Sequence, residues 1–219
     1  QLPEFWVVLI FLGVMSVTPD KDEIRENQAE SNGHRWGKQI FFMGIAILGI
    51  GLFWMQKDHY KAYQQWNKAQ MFYNNKAYEA ALEVYEPLYP LLKHKPEFLF
   101  EAAQSLSKTG QYEKANEYLE RAVLLSSDPM LYYVMAKNEQ CLGEYRQAEK
   151  HLLHAIDILP ERIYPYYLLM NLYTEPSYFQ PAKLKKAIDS VLTKKPKVES
   201  SAIKEMKEKA RSMLNNTSI

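Results

Sequence analysis

Hydrophobic positions are arranged in two different ways along the chain. Before residue 56 they form two uninterrupted apolar runs, one at residues 5–18 and a second at residues 40–55. A polar loop, residues 19–38, separates the two runs. After residue 56 the apolar positions recur at the three- and four-residue steps of amphipathic helices. The pattern therefore predicts an all-α protein in which a transmembrane helical hairpin, residues 1–56, precedes a domain of packed helices.

The two apolar runs differ in length. The first ends at Pro19 and would span about 21 Å as a helix, which is short for a hydrocarbon core of about 30 Å. Because the chain begins with Gln1, we expect it to be a fragment whose upstream residues complete this span. The second run reaches about 27 Å with its flanking glutamines, and Lys38 and Lys57 can extend to the interface from its ends. The alternative is a buried hairpin in the core of a soluble protein.

Charge near the apolar runs indicates an orientation. The loop at residues 19–38 has four basic residues, and the twenty residues after the second run have three. The positive-inside rule therefore predicts a cytoplasmic loop, with everything after residue 56 on the outer side of the membrane.

Three later segments share one frame of turn, tyrosine, small residue and apolar residue, at residues 74–88, 108–122 and 141–155. Their tyrosines lie 34 and 33 residues apart, and alanines follow the same steps in both helices of each unit (Tyr78, Tyr112, Tyr145; Ala81, Ala115, Ala148; Ala69, Ala103, Ala136). This period resembles the tetratricopeptide repeat, abbreviated TPR.

The resemblance implies a superhelix of helical hairpins. We expect about four repeats within residues 57–197, bounded at 62–95, 96–128, 129–162 and 163–197, and then a capping helix and tail at 198–219. The fourth repeat has an expanded turn at residues 174–183. Coincidental amphipathic helices are the alternative to a repeat.

Composition and motifs exclude several functions. With 27 basic and 26 acidic residues and no basic patch interleaved with aromatics, a nucleic-acid partner is not expected. The single cysteine, Cys141, excludes an internal disulfide and a cysteine-built zinc site. His151 and His154 have a spacing that can share a metal, but no third ligand is placed beside them, so we favour a structural role. We predict no catalytic residue, metal site or cofactor in this part of the protein.

The TPR resemblance implies a concave surface lined by the first helix of each hairpin. Aromatic side chains interleaved with amides suit a protein or peptide, or a glycan chain. The Lys/Asn clamp that some TPR domains use for a terminal carboxylate is missing. The alternative role for these aromatics is packing between repeats. The candidate binding residues are Tyr63, Trp66, Gln70, Phe100, Gln104, Tyr133, Lys137, Tyr167 and Asn171, with Asn67, Tyr73, Asn74, Glu101, Gln140 and Tyr164 beside them.

The chain as a whole resembles the C-terminal end of O-antigen ligase and polymerase-like membrane proteins. The resemblance rests on LPEFWVVL at residues 2–9, on the apolar hairpin and on KPKVESSAIKEMK at residues 195–207. It implies a bacterial inner-membrane protein with periplasmic repeats, whose glycan-transferring residues lie outside this sequence. One alternative is a non-enzymatic, membrane-anchored scaffold of an envelope assembly. A soluble cytoplasmic adaptor is another.

Overall fold

The computed structural model describes residues 32–196 and 198–216, and within these ranges the chain is helical with no strand. Nine α-helices and one short 3-10 helix, Pro176–Tyr178, are found in the described ranges. The α-helices are α1 Asn32–Asn74, α2 Tyr78–Leu92, α3 Pro96–Lys108, α4 Tyr112–Val123, α5 Pro129–Cys141, α6 Tyr145–Ile158, α7 Tyr164–Leu172, α8 Pro181–Thr193 and α9 Ser201–Asn216.

The chain divides into two compact units, residues 1–61 and residues 62–219. The predicted boundary is residue 56. The described part of the first unit is the N-terminal portion of α1. Its large apolar side chains are exposed, and they point to every side of the helix (Phe41, Phe42, Met43, Ile45, Ile47, Leu48, Ile50, Trp54).

No helix among the described residues is long and apolar enough to cross a membrane. The predicted second span, residues 40–55, is therefore not supported. Its sixteen residues fall short of the about 20 that a hydrocarbon core requires. The predicted first span, residues 5–18, lies outside the described residues.

The second unit is a series of antiparallel helical hairpins, which confirms the TPR-like repeat. Its hairpins are the end of α1 with α2, α3 with α4, α5 with α6, and α7 with α8. The predicted small residues are fully buried in the first three hairpins (Ala69, Ala81, Ala103, Ala115, Ala136, Ala148). Only a side chain of this size allows two helices to approach closely at these positions. The core follows the hairpins as two groups of buried side chains, which meet near Tyr133.

The turns of the first three hairpins are built alike. Each has one residue with positive φ: Lys76 at 60°, Gly110 at 82° and Gly143 at 78°. The amide of the next residue then donates to a carbonyl five residues earlier, from Ala77 to Phe72 at 2.9 Å, with the same bond at the other two turns. This is the Schellman ending of a helix, and it turns the chain sharply enough for the second helix to fold back.

The fourth hairpin differs because its turn is longer, as the sequence predicts. The 3-10 helix Pro176–Tyr178 occupies this turn, which closes where the Gln180 amide donates to the Tyr173 carbonyl over 3.3 Å. Helix α9 then covers α8, burying Ala210 and half-burying Ile203 and Met206. At the start of α9, the Ser200 hydroxyl accepts a hydrogen bond from the Ile203 amide over 3.3 Å.

Ala148 provides a test of the repeat frame. Because its methyl group is fully buried between α5 and α6, Ala148→Arg forces volume and charge into a closed contact. We expect the full chain to lose about 3 kcal/mol or more of unfolding free energy. Ala182→Arg, at an exposed position of α8, is the matched control and should change stability by less than about 0.5 kcal/mol. An unchanged thermal midpoint for Ala148→Arg would contradict the frame.

Candidate functional site: the first-helix face

The predicted binding residues occupy equivalent positions on the first helices of the four repeats. An aromatic row contains Trp66, Phe100, Tyr133 and Tyr167, and a polar row contains Gln70, Gln104, Lys137 and Asn171. Both rows have steps of 34, 33 and 34 residues. Within each helix the two members are four residues apart, so they share one side of the helix. We call the surface formed by these eight residues the first-helix face.

At the start of this face, one carboxylate joins three helices. Glu101 on α3 accepts hydrogen bonds from Trp66 Nε1 over 2.7 Å, from Gln70 Nε2 over 2.8 Å and from Tyr85 Oη over 3.1 Å. Trp66 and Gln70 belong to α1 and Tyr85 to α2. The polar groups of Trp66 and Gln70 are therefore engaged in holding the first repeat against the second, which limits what they can offer a ligand.

Other members of the first repeat are held in the same way. The Trp66 ring meets the Phe98 ring edge-on, with centroids 5.7 Å apart, and Tyr73 Oη donates to Gln104 Oε1. Tyr63 is 38% exposed, and Lys95 Nζ lies 6.0 Å from its ring centroid. Of these aromatic rings, Tyr63 is the one that faces solvent most openly.

Tyr133 is placed on the predicted row but is only 6% exposed. Its ring meets the Tyr164 ring edge-on at 5.2 Å, between the third and fourth repeats. Burial raises the pKa of the Tyr133 hydroxyl above its ordinary value, against a smaller lowering by the charge of Arg162. Tyr133 therefore packs between repeats, and its faces are closed to a ligand.

The open part of the first-helix face lies around Lys137. This side chain is exposed and makes no hydrogen bond or ion pair with any residue that the structure describes. Phe100, Gln104, Tyr167 and Asn171 are half-buried. This surface thus combines the unpaired Lys137 with amides and partly exposed rings. Such groups can bind a ligand through charge, hydrogen bonds and ring contacts.

The face ends at Tyr167, whose ring contacts the capping helix. Lys209 Nζ lies 5.3 Å from the Tyr167 ring centroid and 3.5 Å from its hydroxyl oxygen. A second basic side chain therefore stands beside the last aromatic residue of the row.

A second carboxylate, Glu149 on α6, fastens the expanded turn of the fourth repeat. It accepts hydrogen bonds from Tyr173 Oη, Tyr178 Oη and Lys183 Nζ, each over 2.7 Å. Burial by itself raises the pKa of Glu149, but the hydrogen bonds from Lys183, Tyr178 and Tyr173 and the charge of Lys183 outweigh it, so this pKa lies below its ordinary value.

Sequence reasoning missed these linking carboxylates. Glu101 was predicted only as part of the concave lining, and Glu149 was not singled out. A signal exists for Glu149, because Tyr173, Tyr178 and Lys183 cluster in and around an unusually long turn that needs a fixed point. Glu139 was missed as well. It is buried in α5, and its carboxylate lies 2.9 Å from His151 Nδ1, which gives His151 a structural partner.

Comparison with known proteins agrees with this architecture. A family profile described as "Anaphase-promoting complex, cyclosome, subunit 3" matches residues 74–155. A crystal structure of TPR-like repeats from a putative kinesin light chain of Podospora anserina aligns with a TM-score of 0.54 and 17% identity, over 72% of this chain and 89% of that one. The chain has a TPR-type fold.

Other solved structures share the TPR-type fold. MamA residues 41-end from Desulfovibrio magneticus RS-1 aligns with a TM-score of 0.56 and 19% identity, covering 73% of this chain and 98% of that one. A chain of the APC/C hetero-tetramer Cut9–Hcn1 aligns with a TM-score of 0.55 and 13% identity, over 68% of this chain and 29% of that one. No curated protein sequence matches this chain.

The lowered pKa of Glu149 predicts a pH-dependent contribution to stability. A carboxylate whose pKa is depressed in the folded state contributes stability above its unfolded pKa of about 4.5, and this is lost as the pH falls through the folded value. At pH 7 Glu149→Gln should cost about 1 to 3 kcal/mol, because hydrogen bonds to a charged acceptor are lost.

The cost should shrink as the pH is lowered below about 4.5. Urea unfolding of the full chain at several pH values between neutral and acid measures it. Glu120→Gln, at an exposed position of α4, is the control and should show no such trend. A cost of Glu149→Gln that is independent of pH would mean that the ionised carboxylate does not hold the turn.

Proposed function

We propose that the repeat domain is a protein-interaction module that binds an extended peptide on the open part of the first-helix face. The observation that carries the proposal is the polar row, in which Lys137 is exposed and unpaired among the described residues. Support comes from the TPR-type fold itself, because stacked helical hairpins provide extended binding surfaces. A chain that shares this fold occurs in the hetero-tetramer Cut9–Hcn1.

The chemistry of the open surface favours a peptide over a glycan. The Asn171 amide can exchange hydrogen bonds with a peptide backbone, Gln104 can donate from Nε2 while its Oε1 accepts from Tyr73, and the charge of Lys137 can pair with a carboxylate. A glycan chain would need several free aromatic faces for stacking. Tyr133 is closed by Tyr164, and the indole N–H of Trp66 is bound to Glu101, so two of the four rings in the aromatic row are already engaged.

We also propose that the apolar part of α1 contacts lipid. Eight large apolar side chains of this part are exposed on all sides of the helix (Phe41, Phe42, Met43, Ile45, Ile47, Leu48, Ile50, Trp54), and removing each from water would contribute about 1.5 to 3 kcal/mol. Lys57 Nζ lies 5.1 Å from the Trp54 ring centroid, a pairing suited to a bilayer interface. On this proposal residues 5–18 and 40–55 associate the protein with a bilayer, with the repeats on its outer side.

A link to glycan transfer follows from the sequence resemblance alone. In that setting the chain is the C-terminal part of an O-antigen ligase or polymerase-like protein of a bacterial inner membrane, and its periplasmic repeats recruit a partner protein to the transfer site. The alternative is a membrane-anchored scaffold without enzymatic activity. Both settings use the repeats for binding.

Photo-crosslinking tests the peptide-binding surface and identifies its partner in one experiment. In the full chain, Gln140→p-benzoylphenylalanine, three residues from Lys137 on α5, should crosslink a partner that mass spectrometry identifies. Adding Asn171→Ala should lower the yield by about threefold or more, because a lost hydrogen bond contributes about 0.5 to 1.5 kcal/mol. The same photoreactive residue at Lys204, an exposed position of α9, is the control. Equal products from both positions would contradict the proposed surface.

Flotation with phospholipid vesicles tests the contact with lipid. The full chain should float with vesicles, and the double variant Ile45→Lys/Leu48→Lys should not, because each charge costs about 2.5 to 3.5 kcal/mol in a hydrocarbon core. The matched control is Asn67→Lys/Asn74→Lys, at exposed polar positions of the same helix, which should float like the original chain. Flotation of both variants alike would contradict the proposed contact between the apolar part of α1 and lipid, because residues 5–18 would then suffice for binding.

A further inference from the structure

A second surface with binding chemistry lies on the outer side of the third and fourth repeats, along their second helices. A groove of about 630 Å³ follows α6 and is also lined by Lys183 of α8. A neighbouring groove of about 890 Å³ lies between the turn of the third repeat and the expanded turn of the fourth. Arg146 lines both grooves, so they form one continuous surface, which we call the outer groove.

The floor of the outer groove carries a row of basic side chains. Arg146, Lys150 and His154 are four residues apart on α6, and all three are exposed. The side chains of Arg146 and Lys150 make no hydrogen bond or ion pair with any residue that the structure describes. Neither charge is therefore taken up by an ion pair within the described part of the chain, although the charge of Arg146 acts on the nearby Tyr178 hydroxyl, lowering its pKa against the larger opposite effect of burial.

The acidic residues that line the groove do not form ion pairs with this basic row. Glu149 lies between Arg146 and Lys150 in sequence, but its oxygens accept from two tyrosines and Lys183. The other two acids, Glu144 and Asp157, stand beyond the two ends of the row. The row of basic side chains is therefore short, and an acidic residue follows it at each end. This arrangement favours a short acidic ligand over a long polyanion such as RNA.

Beyond Arg146 the groove becomes aromatic. The rings of Tyr145 and Tyr178 are stacked with centroids 5.6 Å apart and an interplanar angle of 19°. Phe179 follows directly and is 50% exposed. Because Glu149 fixes Tyr178 through its hydroxyl, this platform is pre-formed, and it can accept a flat apolar side chain at little entropic cost.

The spacing of the basic row fits an extended chain. Four residues of helix advance about 6 Å, and two residues of extended peptide advance about 6.7 Å. We propose that the outer groove binds an extended acidic peptide whose carboxylates occupy alternate residues and whose aromatic end residue lies on Tyr145, Tyr178 and Phe179. This site is separate from the first-helix face and does not depend on what that face binds.

Fluorescence anisotropy with the full chain and a labelled synthetic peptide tests the proposal. The peptide has one terminal tyrosine followed by serines alternating with three glutamates. A version with glutamine in place of glutamate should bind about tenfold or more weakly, because the charge pairing is lost. A version with three consecutive glutamates should also bind more weakly, because its charges do not match the row. Equal binding of all three peptides would overturn the proposal.

Variants of the protein locate the binding. Arg146→Glu/Lys150→Glu should weaken binding of the alternating peptide by about tenfold or more. The matched control, Lys204→Glu/Arg211→Glu, reverses one lysine and one arginine at exposed positions of α9 and should change affinity by less than about twofold. Circular dichroism should show both variants folded, since all four side chains are exposed. Equal losses from the two double variants would mean non-specific attraction and would overturn the site.

Two further measurements complete the test. Phe179→Ser should weaken binding of the peptide with tyrosine and leave a peptide without tyrosine unchanged, whereas an equal loss for both would refute the aromatic platform. A single-stranded RNA oligonucleotide that displaces the peptide at equal concentration would show a general polyanion site, and the proposal would then be wrong.

Discussion

Close approach of helices at alanine contacts governs the repeat domain. Ala69, Ala103 and Ala136 on first helices, with Ala81, Ala115 and Ala148 on second helices, are fully buried. A larger side chain at such a contact would separate the helices and shift the register of every residue beyond it, because helix packing is interdigitated. The equivalent placement of Trp66, Phe100, Tyr133 and Tyr167 along one face follows from this uniform spacing. The geometry of the first-helix face is therefore set by the packing of the core.

Two carboxylates hold the irregular segments of the domain against its regular hairpins. Glu101 binds the end of a 43-residue helix into the first hairpin, and Glu149 binds an expanded turn to the third. Each accepts three hydrogen bonds, so the cost of withdrawing its charge from water is offset by its partners. Each carboxylate also orders a different surface. Glu101 fixes Trp66 and Gln70 of the first-helix face, and Glu149 fixes Tyr178 at the aromatic end of the outer groove.

The repeat could be predicted from sequence because its causes are local. Gly110, Gly143 and the alanines recur at a fixed period, and that period survives in a single sequence. The roles of Glu101 and Glu149 could not be predicted, because their partners lie 16 to 35 residues away and a glutamate on a helix ordinarily faces solvent. Tyr133 follows the same period as Trp66, Phe100 and Tyr167, but its burial depends on Tyr164 in the next repeat, which periodicity does not reveal. The apolar residues before residue 56 were predicted as membrane spans from hydropathy alone, and the structure does not support the second span.

Lys76 bears on the order in which the hairpins come apart. Its backbone has the left-handed conformation that Gly110 and Gly143 adopt freely. For a residue with a side chain this conformation costs roughly 1 kcal/mol. Stability in a repeat array is the sum of each hairpin and its interfaces, so the first hairpin relies more than the others on its junction at Glu101. Tension transmitted through α1 would act first on that junction, peeling away one hairpin while the remaining three stay folded. Under such tension the domain would unfold in steps, and the third and fourth hairpins, which carry the outer groove, would unfold last.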